Sequence, residues 1–355
     1  MARSTESVAA PEIPRALAAY GITDARVSPL PGGLIHQSFS VCAGAVEYVL
    51  QRVSPIFSPG IHDNIRAVTE HLQARGLCTF VLLPTRTGRP YADLGADGIW
   101  RLETRVPGVG FDTCDAPEQA RSAAALVARF HSALDDLEHA FQPLGIRLHD
   151  TPAHLRSLEK ALDAHPGHRL YDRVAALADE ILCAARTLPD LTGLPRRVVH
   201  GDLKFNNVLF EGRQGSARSR AVSLIDLDTT SRIPLYAELG DAWRSWCNRR
   251  GEDSAEAELD MRLFRAAAEG YLGALSIELG AEERASLADG LDCISLELAA
   301  RFAADALNER YFGWNPARFG SAGDHNWTRA LGQFSLYRQA RATRAERIRI
   351  LGGRR

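Results

Sequence analysis

His200-Gly201-Asp202-Leu203-Lys204-Phe205-Asn206-Asn207, with Ile225-Asp226-Leu227-Asp228 a short way downstream, decides how this chain is read. The apolar run Arg197-Val198-Val199 leads into the first stretch, and Ala221-Val222-Ser223-Leu224 leads into the second. Between them lie Val208-Leu209-Phe210 and a polar tip from Glu211 to Arg220. The pattern predicts two strands bracketing a loop, with carboxylates where the strands end. The spacing suits phosphoryl transfer. Asp202 can take the proton of an acceptor hydroxyl, Asn207 can hold a magnesium ion, and Asp226 can hold the same ion or a second one against nucleotide phosphates. Lys204 stands where a cation could neutralise charge growing on the transferred group. Asp228 could bind a second metal, touch the acceptor or brace the loop.

The chain has 355 residues, room for two modest domains or one large enzyme. A formal net charge of −2 gives no reason to expect a nucleic-acid partner. No apolar run approaches the roughly 20 residues of a membrane span, and no basic-then-apolar leader opens the chain. Six scattered cysteines without a C-x-x-C pair fit reduced thiols in a cytoplasmic protein.

Two regions differ in character. Up to about Val106 the reading alternates strands with helix: a helix at 13–20, a glycine turn before a strand in 30–39, strands at 47–53, 80–85 and 98–106, and a helix at 61–75 with Ile65, Val68 and Leu72 on one face. Pro107-Gly108 breaks this pattern. Helical spacing then dominates at 117–137, 155–162, 171–185, 236–246, 259–279, 282–307 and 329–350, interrupted by the Asp202/Asp226 hairpin. The expected organisation is α+β, with a small nucleotide-covering lobe at 1–106 and a helical lobe at 107–355 carrying the hairpin and the acceptor pocket. In the first lobe, Pro31-Gly32-Gly33 could cover phosphates with backbone N–H groups. Arg52 ends a strand and Glu70 lies on the next helix, a cation and a carboxylate suited to steadying the α- and β-phosphates as a pair.

These motifs resemble the aminoglycoside phosphotransferase/choline kinase superfamily, whose signature is H-G-D-x-x-x-x-N followed by I-D-x-D; both stand intact here. Within it the chain is most similar to the N-acetylhexosamine 1-kinases. The supporting stretches are Tyr48 to Arg52, Asn206 to Phe210, Leu224 to Thr229, and a C-terminal run with Arg301-Phe302, Tyr311-Phe312, His325-Asn326, Arg329 and Gln333. The resemblance implies a two-lobed protein-kinase-like fold with a small antiparallel-sheet lobe and a larger, mostly helical one. It implies ATP and Mg2+, and a sugar acceptor met by Arg301, Tyr311, His325 and Asn326. It departs at Trp327 and Arg310, both in the expected acceptor region.

Kinases for an aminoglycoside, choline or another sugar are the rival readings, together with a nucleotide-binding pseudokinase. Arg301, Arg310, Arg318 and Arg329 favour a neutral sugar over a cationic acceptor. His200 is expected to brace the loop, Asp241 to anchor it, Trp243 and Trp246 to fill the core, and the arginines from Arg338 onward to form a solvated helix face.

Overall fold

The computed structural model describes residues 11–30, 35–212, 220–310 and 314–352. The chain divides into two compact units. The first comprises Met1–Val106 with His139–Ile146, the second Pro107–Glu138 with Arg147–Arg355.

The first unit is built on an antiparallel sheet in the order β1-β2-β3-β5-β4, from strands β1 (Arg26–Pro29), β2 (Gln37–Ala43), β3 (Val46–Val53), β4 (Ala92–Asp93) and β5 (Ile99–Thr104). Gly44 turns β2 into β3 at φ +60°, a left-handed conformation that glycine adopts without strain. Alternation along the strands sends Val41, Leu50, Trp100 and Leu102 to one face, where Ile13, Ala16 and Leu17 of helix α1 (Glu12–Ala19) cover them. Each such aliphatic side chain contributes about 1.5–3 kcal/mol by leaving water. Helix α2 (Ile61–Ala74) buries Ile61, Ile65, Val68 and Leu72, one stripe at helical spacing.

Three features differ from the sequence reading. β1 was not expected, because Arg26-Val27-Ser28-Pro29 carries little apolar pattern. The expected strand at 80–85 reduces to one bridge, Leu82 opposite Glu103. His139–Ile146, expected in the helical region, belongs to the first unit. Asn64 accepts from Gln142 N–H at 2.8 Å and donates to its carbonyl at 3.0 Å, and Ser58 N–H donates to Leu144 O at 2.9 Å.

The second unit is mainly helical: α3 (Pro117–Ala133), α4 (Thr151–Ala164), α5 (Tyr171–Ala185), α6 (Leu235–Trp246), α7 (Met261–Ala274), α8 (Ala281–Asn308) and α9 (Ala322–Gly352). α8 is buried on nearly every side, packed by α4, α5, α6 and α9. Two glycines permit α6 and α8 to cross closely, since a Cβ on Gly240 would lie 2.4 Å from the Gly290 carbonyl oxygen. The arginines of α9 are not simply a solvated face. Arg341 and Arg347 pair with Asp292, and Arg344 with Asp289; Arg347 and Asp292 are fully buried. The reason is that α8 places two carboxylates opposite them.

Candidate active site

Two small antiparallel ladders hold the two motifs. β6 (Arg197–Val199) pairs with β9 (Ser231–Ile233), and β7 (Val208–Phe210) pairs with β8 (Ala221–Leu224). The first motif links β6 to β7 and the second links β8 to β9. Hydrogen bonds tie the two connections together. Ile225 N–H donates to Asn207 O at 3.0 Å, His200 Nε2 donates to Ile225 O at 2.8 Å, and Thr229 Oγ1 donates to His200 O at 2.9 Å. With Nε2 carrying the proton, His200 Nδ1 accepts the Asp202 N–H at 3.3 Å. The fully buried His200 therefore braces the loop.

Gly201 and Asp226 set the backbone path. Gly201 has φ +85°, and a Cβ there would lie 2.5 Å from Thr229 O. Asp226 is non-glycine yet left-handed, at φ 64° and ψ 60°. Such a conformation costs on the order of 1–3 kcal/mol and persists where surrounding contacts hold it. It aims the Asp226 carboxylate, whose oxygen lies within 4.8 Å of one from Asp228. Asp228 is only 2% exposed.

Lys204 Nζ donates to Asp202 Oδ2 at 3.0 Å. Burial works against the ammonium, but the Asp202 charge and hydrogen bond outweigh it and hold the lysine above its ordinary value. Asn207 donates through Nδ2 to Asp202 O at 2.8 Å, which leaves its Oδ1 as the free end of the amide. Asp202, Asn207, Asp226 and Asp228 thus offer hard oxygen donors around one loop pair, a set that fits a divalent cation such as Mg2+. A pocket of about 190 Å³ adjoins this loop, lined by Lys204, Asn206, Arg244 and Glu252 among others.

The sequence reading missed the residue that clamps this loop. Glu238, 1% exposed on α6, accepts the backbone N–H groups of His200 and Gly201, both at 2.9 Å. Burial raises its carboxyl, yet the hydrogen bond and charge of His131 and the Gly201 N–H bring it below the usual range. His131 is in turn bonded to Tyr271 Oη at 2.9 Å. Asp241, expected to anchor the loop, faces Arg244 instead, with Arg244 Nε donating to it at 3.0 Å. The helix repeat explains the exchange: Asp241 and Arg244 are neighbours at i, i+3. Trp246 packs in the core as expected and also donates from Nε1 to Leu203 O at 2.7 Å.

Gly32, Gly33 and Tyr311 lie outside the described residues. Arg52, on β3 opposite Gln37 and Trp100, and Glu70 form no ion pair among the described residues. Glu70 is on the exposed face of α2, turned away from the stripe formed by Ile61, Ile65, Val68 and Leu72.

The three expected acceptor residues that are described, Arg301, His325 and Asn326, are not gathered in one place. Arg301 lines a cavity of about 710 Å³ with His154, Asp305, Arg310 and Trp314. His325 and Asn326 are buried instead, 2% and 0% exposed, because α9 begins at Ala322 and takes both into its first turns. His325 Nε2 bonds Asp253 Oδ1 at 2.8 Å and stacks on Phe319. Asn326 donates to Arg310 O at 3.0 Å, which fixes the backbone of a residue that does line the cavity.

The profile of the phosphotransferase enzyme family matches residues 26–274, well over half of the chain. The chain belongs to that family. Solved structures share the fold of this phosphotransferase over nearly its whole length. An aminoglycoside phosphotransferase from Alicyclobacillus acidocaldarius is 18% identical with a TM-score of 0.62, and 99% of each chain is covered. A microcompartment-associated aminopropanol kinase is 15% identical at TM-score 0.59, covering 95% of this chain and 98% of its own. An amicoumacin kinase in complex with AMP-PNP, Ca2+ and Ami is 13% identical at TM-score 0.58, covering 94% and 92%. The antiparallel sheet of the first unit and the helical second unit are those of the kinase-like fold.

Proposed function

We propose that this phosphotransferase moves the γ-phosphoryl group of ATP to the anomeric hydroxyl of N-acetylglucosamine or N-acetylgalactosamine, giving the sugar 1-phosphate and ADP. The observation that carries the phosphoryl-transfer reading is the Asp202–Lys204 contact of 3.0 Å on a loop that also presents Asn207 and faces Asp226. In this reading Asp202 orients the acceptor hydroxyl and accepts its proton. A loose transition state asks little of the nucleophile, so a carboxylate needs no raised pKa for that task. Lys204 lies close enough to follow the transferred group with its positive charge. Asn207 and Asp226 hold the divalent cation, with Asp228 beside them. The bound ion supplies charge neutralisation for the nucleotide phosphates. The aminopropanol and amicoumacin kinases named above support a small-molecule acceptor, and the AMP-PNP and Ca2+ bound to the latter support a nucleotide with a divalent ion.

The sugar reading draws on the 710 Å³ cavity, where Arg301 and Arg310 can donate, Asp305 can accept, and Trp314 offers an indole face. Mixed donors and acceptors around an aromatic face suit the hydroxyls and C–H faces of a pyranose. ADP release measured over a panel of acceptors tests the assignment. Release that depends on N-acetylhexosamine supports it; release that depends only on an aminoglycoside or an amino alcohol overturns it.

A further inference from the structure

His149 has no part in the reading so far, yet its chain neighbour touches the catalytic loop and its bonding partner lies one helical turn from a residue of the large cavity. The preceding residue, Leu148, packs on Gly201: its Cδ1 would lie 3.0 Å from a Cβ built there. His149 Nδ1 bonds Glu297 Oε1 at 3.0 Å, and Thr151 Oγ1 donates to Glu297 Oε2 at 2.6 Å. One turn along α8 from Glu297 is Arg301, which lines the cavity. His149 Nε2 has no protein partner among the described residues.

Burial of the ring favours its neutral form. The hydrogen bond and charge of Glu297, with the more distant charges of Asp241 and Glu238, overcome this and raise the imidazole above the ordinary histidine value. His154, on α4, is the other titratable group coupled to it.

The carboxylates along this path are already engaged by the protein's own cations or donors. Asp202 has Lys204, Asp241 and Glu252 share Arg244, Glu297 has His149 and Thr151, and in the cavity Asp305 lies 4.0 Å from Arg301 while Glu309 has His168 and Arg169. An ammonium-bearing acceptor would have to displace one of these partners and approach two like charges.

We propose that His149, tethered through Nδ1 to Glu297 and with Nε2 without a protein partner among the described residues, is a specificity-determining cation that donates a hydrogen bond to an uncharged acceptor and repels a cationic one. The inference deepens the acceptor reading above and rests on the cavity being the acceptor side. N-acetylglucosamine and glucosamine differ in one acetyl group and, at pH 6.5, in one charge, so they form a matched pair of probes.

The wild-type enzyme is expected to prefer N-acetylglucosamine by about 100-fold in kcat/KM. H149Q is expected to lower kcat/KM for N-acetylglucosamine about 10-fold, to narrow the preference, and to leave KM for ATP unchanged. Equal use of the two sugars by the wild type, or an unaltered preference in a folded H149Q, would overturn the proposal. If another uncharged acceptor is used in place of N-acetylglucosamine, the sugar assignment fails and the charge rule stands. Turnover of kanamycin or ethanolamine overturns the charge rule. Long-range 1H–15N NMR decides independently of turnover: a titration midpoint above the ordinary histidine value that falls in E297Q supports the proposal, and a midpoint at or below that value overturns it.

Discussion

The carboxylate of Glu238 accepts the backbone N–H of Gly201 at 2.9 Å, and its second oxygen accepts the N–H of His200 at the same distance. One buried side chain on α6 therefore fixes the peptide that precedes Asp202. The clamp is completed by His131, whose Nδ1 meets Tyr271 Oη. Replacing Glu238 with alanine leaves two buried N–H groups without acceptors, and is expected to cost on the order of 3 kcal/mol of stability. Urea unfolding of E238A checks this; a midpoint equal to that of the wild type would contradict the clamp.

Gly201→Ala tests the same loop from the backbone side. The substitution imposes a side chain at φ +85° and a Cβ 2.5 Å from Thr229 O. A loss on the order of 3 kcal/mol is expected, with turnover falling alongside it as the loop shifts. Circular dichroism melts of the variant, compared with Gly76→Ala, separate strain from contact. Gly76 is also left-handed but meets nothing within 4 Å.

Asp202→Asn keeps the shape of the side chain and removes its capacity to accept a proton. The variant is expected to melt close to the wild type and to turn over at least about 100-fold more slowly. Steady-state ADP release measures it, and a rate near wild type would remove Asp202 from the chemistry.

Asp226→Asn tests the metal reading by binding alone. In the wild type, Mg2+ added with AMP-PNP is expected to raise the melting temperature beyond the effect of AMP-PNP without the ion. The variant is expected to lose most of that increment. An undiminished increment in Asp226→Asn would assign the cation to other ligands.

Burial raises the Asp305 carboxyl to about 6, against the opposing pull of Arg301 and Arg310. An acid with a higher pKa in the fold than in the unfolded chain holds its proton more firmly when folded. Its contribution to stability is complete below the unfolded value and is lost as pH rises through about 6. The loss between pH 4 and pH 7 is expected to be about 2 kcal/mol, and Asp305→Asn should flatten that part of the profile. Chemical denaturation across this range checks the slope; a wild-type profile no steeper than the variant's would contradict it.

The loop residues were legible in the sequence because their chemistry demands particular side chains at short, fixed spacing. Asp202, Lys204 and Asn207 lie close together on one loop, and Asp226 follows a strand that ends where the pattern says it should. Glu238 was not legible. Nothing along Leu235-Tyr236-Ala237-Glu238-Leu239-Gly240-Asp241 marks which carboxylate will meet backbone 38 residues earlier. Asp241 was the expected anchor, but Arg244 lies one helical turn on and takes it. Helix faces explain the other differences. Two residues along from the buried Val68, Glu70 falls on the outer face of α2. His325 and Asn326 precede the helix that was expected to begin at Arg329. With α9 starting at Ala322 they become buried helix positions, where His325 Nε2 meets Asp253 and Asn326 Nδ2 donates to the Arg310 carbonyl. Pairing of this kind depends on which elements meet, information that short-range pattern does not hold.

The most direct test of the central claim is a phosphorus NMR spectrum taken after the protein has been incubated with ATP, Mg2+ and N-acetylglucosamine. The account predicts a new phosphomonoester signal coupled to the anomeric proton, with matching loss of the ATP γ-resonance, and no such signal from Asp202→Asn. ATP left unchanged with this sugar and with N-acetylgalactosamine, or a phosphomonoester on any other hydroxyl, would contradict it.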